Sequence, residues 1–77
     1  MSSNVYLVTM ADGESFSMSF DPTQASAPIL VDFGSDYEPV WQNTPMQTAD
    51  VRDERDAAAR VAMYFDLPSH VETVTVV

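Results

Sequence analysis

The chain has no lysine, no cysteine, one histidine and two glycines among its 77 residues. Without cysteine there is no disulfide and no thiolate metal site to reinforce the fold, so packing or association must supply the stability. Without lysine, all positive charge rests on Arg52, Arg55 and Arg60, which sit within one short stretch. No apolar run is long enough to span a membrane, and Met1 to Val8 lack a basic flank, so neither a span nor a signal peptide is expected and a cytoplasmic location is the default. A chain of this size is expected to be a single domain over residues 1–77 that buries only about 60% of the surface exposed on unfolding.

Against three cations stand twelve carboxylates, giving a formal charge of −9. Asp50, Asp53, Glu54 and Asp56 share the segment of the arginines, so eight acids lie elsewhere with no cation among them. Such a balance bears on partners, solubility and association rate rather than on fold. It disfavours direct nucleic-acid binding, which needs basic surface. At 45% hydrophobic residues the chain is nonetheless too apolar to be disordered.

Asn4 to Met10 reads as a strand, and Ala11-Asp12-Gly13-Glu14 supplies a hairpin turn. In Ser15 to Phe20 the period is two, with Phe16, Met18 and Phe20 on one face and three serines on the other. Asp21 to Pro28 reads as a loop, Ile29 to Phe33 as a short strand, and Gly34-Ser35-Asp36 as a turn. A fourth strand is expected over Tyr37 to Gln42, restricted by Pro39 to an edge, followed by a loop from Asn43 to Gln47. A helix is expected from about Ala49 to Phe65, capped by Thr48 or Asp50, with Val51, Ala58, Val61, Ala62 and Phe65 on its apolar side. Asp56 is placed to pair with Arg52 and Arg60, four residues away on either side. His70 to Val77 reads as a final strand whose valines keep no single parity, which predicts cover on both faces, in the sheet centre or in a subunit interface. The expected class is α+β: a small antiparallel or mixed sheet of three to five strands, in the order β-β-β-(β)-α-β, with one helix packed on a face.

Few residues suggest chemistry. Asp32, Asp36 and Glu38 lack the ligand density and central glycine of a calcium loop, so solvated loop acids are the expected reading and no metal is assigned. Asp32-Phe33-Gly34 spells a kinase magnesium motif, but the glycine-rich loop and strand lysine that motif requires are missing. His70, alone beside a proline and a serine, reads as a surface or capping residue, so no catalytic residue or cofactor is expected. Among the aromatics, Trp41 is the expected exposed anchor, tryptophan being common at interface centres. Asp12 with Glu14, and Asp36 with Glu38, have the two-residue spacing that on a strand sets side chains about 6.6 to 6.8 Å apart, the order of the spacing between successive phosphates. Asp21 and Asp32, with Asp66 and Glu72, extend the pattern if they share an edge.

Length near 80, surplus acid, absent cysteine and a small sheet with one helix (Val5 to Phe20, Val51 to Phe65, Val71 to Val77) together resemble the anti-CRISPR proteins that phages carry. The resemblance implies a non-enzymatic inhibitor acting in the cytoplasm of a bacterial host, binding a CRISPR effector at the surface that would take its target DNA. It supplies no aligned motif, so no residue role is carried over. The expected partner is thus a basic nucleic-acid-binding protein, met by Asp12, Glu14, Asp21, Asp32, Asp36, Glu38 and Trp41, as a possible DNA mimic. The alternative expectation is a small oligomeric structural or assembly protein, a homodimer being one form, that uses its last strand as interface, its charge serving solubility.

Overall fold

A computed structural model describes residues 4–34 and 40–77. Five strands form one antiparallel sheet: β1 (Val5–Met10), β2 (Ser15–Ser19), β3 (Pro28–Asp32), β4 (Gln42–Gln47) and β5 (Val71–Val76). A helix, α1 (Glu54–Tyr64), lies between β4 and β5 in the chain and packs on one face, so the fold is α+β as the sequence implies. The strand order is β4-β3-β2-β1-β5.

Period-two patterning decides which face the helix covers. The register pairs Tyr6 with Met18 and Val8 with Phe16, and Met18 in turn with Val31, so the alternate apolar residues of three strands share one side. That side buries Tyr6, Val8, Met10, Phe16, Met18, Phe20, Ile29 and Val31 against Ala57, Ala58, Val61 and Ala62 of α1. Alanine methyls at the contact hold the helix off only slightly, so it seats close on the larger residues of the sheet. Phe33 bridges Phe16 and Phe65 with ring centroids 5.5 and 4.9 Å apart, extending the core beyond the strand ends. The opposite face is uncovered and carries Thr9, Ser15, Ser17, Ser19, Thr73 and Thr75 around Leu7, which is 40% exposed.

Three sequence expectations change. The fourth strand occupies Gln42–Gln47, so it takes in the whole Asn43 to Gln47 stretch expected to be a loop, while Tyr37 to Pro39 lie outside the described residues. Pro45 does not forbid it, because β4 is an edge strand and an edge tolerates a missing amide. Thr44 also turns inward from β4 and donates its hydroxyl to the Ile29 carbonyl. The helix begins at Glu54 rather than Ala49: Thr48–Asp50 form a separate 3-10 turn, and Val51 and Asp53 are extended. Asp53 is therefore the helix cap, its Oδ1 accepting the Asp56 amide at 2.8 Å, while the Asp50 carboxylate accepts the Gln47 amide. Val51 accordingly packs on the core from outside the helix. Finally, β5 is the outermost strand and not a central one, with Val76 65% exposed.

Candidate functional site

Antiparallel connectivity sorts the acids by the ends of the sheet. The β1–β2 turn, the end of β3, the start of β4 and the segment leading into β5 all fall at one end. Asp12 and Glu14 are in that turn, Asp32 closes β3, and Trp41 precedes β4. One step beyond the Val31–Gln42 pair, the β3–β4 register sets Trp41 beside Asp32. Asp66, between α1 and β5, completes the group. It and Asp12 line an open groove of about 830 Å³ with His70 and Leu67. A smaller depression of about 210 Å³ beside it is lined by Asp12, Glu14, Phe33 and Pro68, and no arginine lines either one. With neighbouring strands about 4.8 Å apart, the row from β4 to β5 spans about 19 Å.

Local chemistry holds these acids in place. Gly13, at φ +93°, makes the tight turn between Asp12 and Glu14, and Asp12 Oδ1 accepts the Glu14 amide at 3.0 Å. The two carboxylates are thus turn residues, and the along-strand spacing expected for them does not apply. The Ser69 hydroxyl accepts the Asp12 amide at 3.1 Å, tying the turn to the segment that leads into β5. Asp32 Oδ1 accepts the Gly34 amide at 2.9 Å, which orients the end of β3.

Asp66 is the acid whose position runs most strongly against local preference. It is the one non-glycine residue among those described with a positive φ, +54°. Its amide donates to the Met63 carbonyl and that of Leu67 to Ala62, the hydrogen bonds of a left-handed helix terminus that glycine normally fills. A carboxylate here also faces the negative end of the helix dipole. In the sequence Asp66 is one acid of twelve; only the helix end, two residues before Pro68, hints at its backbone state.

Other described acids are engaged elsewhere. Asp21 lies at the opposite end, where its carboxylate binds the Thr23 hydroxyl and amide and the Asn4 side chain. Glu54, the first residue of α1, acts with Asp21 on Tyr6. Burial, and after it these two charges, push the Tyr6 phenol above its ordinary range. Asp56 is held below the usual carboxylate range, first by the Arg52 amide and then by Arg60, whose Nε lies 3.3 Å away. The expected Arg60 pair therefore forms between side chains, whereas Arg52 meets Asp56 through its backbone amide. Asp36 and Glu38 fall outside the described residues. Of the expected contact residues the structure brings Asp12, Glu14, Asp32 and Trp41 to one end, adds Asp66, and separates Asp21. Among the described residues, no three histidine, aspartate or glutamate side chains are close enough to share a metal ion. No described helix is long and apolar enough to cross a membrane.

Compared with known proteins, the chain matches no family model, and no curated protein or solved structure matches it.

Proposed function

We propose that the chain is an acidic inhibitor that occupies a basic nucleic-acid-binding surface on a partner protein, of the kind a CRISPR effector presents to its target DNA. The observation that carries this reading is the gathering of Asp12, Glu14, Asp32 and Asp66 at one end of the sheet, with Trp41 just before β4 at the same end and no arginine lining the two depressions that Asp12, Glu14 and Asp66 border. A tryptophan 40% exposed at the same end as these carboxylates offers both halves of a contact with a basic groove: an anchor to be desolvated and a complementary charged rim. The mimicry is of charge density across a sheet end, not of phosphates repeating along one strand. No arginine lines the two depressions at this end, and Arg60 is engaged with Asp56.

The test uses a purified CRISPR effector complex and labelled target DNA. Added protein should displace the DNA, and displacement should weaken as salt rises, since screening shortens to about 8 Å at physiological ionic strength. Asp12→Asn, Glu14→Gln and Asp32→Asn together should lower the inhibitory affinity by at least tenfold, while Asp21→Asn at the other end should leave it within about twofold. Undiminished DNA binding across effectors of several types, or equal effects of the two sets of variants, would discard the proposal.

A further inference from the structure

We infer that a second copy of this chain pairs with the free edge of β5, joining two sheets into one of ten strands about a twofold axis. The inference does not rest on the inhibitor reading and concerns a different surface.

The Val77 amide donates to the Val5 carbonyl at 3.0 Å, and the register continues with Leu7 opposite Thr75 and Thr9 opposite Thr73. In an antiparallel ladder alternate residues turn their main-chain groups to the same neighbour. Thr73, Thr75 and Val77 therefore face β1, and Val74 and Val76 present their amides and carbonyls outward. Above them, the register shift between Thr9 and Met10 and the Arg55 contact to the Glu72 carbonyl bound the free stretch.

Edges are ordinarily guarded by proline, lysine or short length. The β4 edge has Pro45, whereas β5 is six residues long and contains neither proline nor lysine. Its only charge is Glu72. Val76 and Val77 are 65% and 67% exposed, so apolar side chains flank this open edge.

One antiparallel register satisfies the free groups and separates the like charges, the Glu72 carbonyl having a second lone pair to accept the Val76 amide of the other copy beside Arg55. Val74 meets its own copy and exchanges both main-chain hydrogen bonds with it, and Glu72 stands opposite Val76 of the second copy. The two Glu72 carboxylates are then four residues apart along the strands, about 13 Å. Thr73 meets Thr75 on the uncovered face, a cross-strand pair that sheets favour. A second copy suits this edge better than an unrelated peptide because the strand complements itself in polarity, side-chain size and charge position.

Sedimentation equilibrium of the full chain at two salt concentrations tests this. A dimer is expected whose affinity holds or rises with salt, since two chains of like charge repel, the opposite sign to inhibitor binding. Val76→Glu sets a carboxylate against Glu72 of the second copy and should weaken the dimer at least tenfold; Val76→Lys should tighten it several-fold. The pair Glu72→Lys with Val76→Glu should restore dimerisation. Because Val76 is exposed, unchanged circular dichroism in each variant will show that the fold is intact. A chain that sediments as a monomer at its highest soluble concentration overturns the inference, and so does a dimer indifferent to the sign of the charge at position 76.

Discussion

Asp66 combines two unfavourable choices in one residue: a left-handed backbone and a carboxylate at the negative end of a helix. Asparagine tolerates the same backbone without the charge, so Asp66→Asn should raise unfolding free energy by about 0.3 to 1 kcal/mol in urea titrations. If Asp66 belongs to the acidic contact surface, the same variant should lose inhibitory affinity, separating a stability effect from a binding effect. Tyr6 shows how the charge at the other end acts on the core. Its phenol is pushed up by burial and by Glu54 and Asp21, so the neutral form is the one the fold favours. That contribution is fully present below the ordinary phenol value of about 10 and is lost as pH rises through the higher value in the folded state. Urea midpoints should therefore fall on the alkaline side, and Tyr6→Phe should flatten that fall while leaving the neutral-pH midpoint nearly in place. Asp56 has the opposite sign. Its lowered value means that its stabilisation is present above the ordinary carboxylate range and fades as pH falls through its folded-state value.

At the scale of elements, strands announced themselves wherever residues alternate. Ser15 to Phe20 shows on paper the face it buries, and Val5 to Met10 follows through its partner register. The helix was legible in its body but not in its start. Asp50, Asp53 and Thr48 are all competent caps, and only backbone geometry at Val51 and Asp53 decides that the first turn belongs to a separate 3-10 segment. Asp53→Ala should accordingly destabilise the protein by about 1 kcal/mol in thermal or urea unfolding, whereas Asp50→Ala should cost less, because Asp50 fastens only the short turn. β4 was hidden for a different reason. Gln42-Asn43-Thr44-Pro45-Met46-Gln47 has little strand propensity, and it joins the sheet because β3 offers an edge and Thr44 fills a buried position with its hydroxyl satisfied. Tertiary context overrode composition. For β5 the four valines signalled a strand correctly but not its address, since burial inside a sheet and burial by a partner have the same signature in sequence.

For the whole molecule, the sequence located the charge outside the helix segment but could not tell which carboxylates meet. Turns are where acids accumulate in any small domain, and only the pairing of strands determines which turns are neighbours. The order β4-β3-β2-β1-β5 brings Asp12, Glu14 and Asp32 together with Asp66 and sends Asp21 to the far side. The radius of gyration, 11.6 Å, is that of a compact chain of this length, about 11.5 Å. Among the described residues no long arm carries an acid, so on the proposed reading the contact is made by the sheet end itself. The two edges of that sheet also differ in a way that sets how far assembly can proceed. An antiparallel union through β5 leaves a β4 strand at each rim, and there Pro45 offers no amide for another ladder. Growth by strand addition therefore terminates after a single step, so the chemistry that permits a pair withholds the fibre.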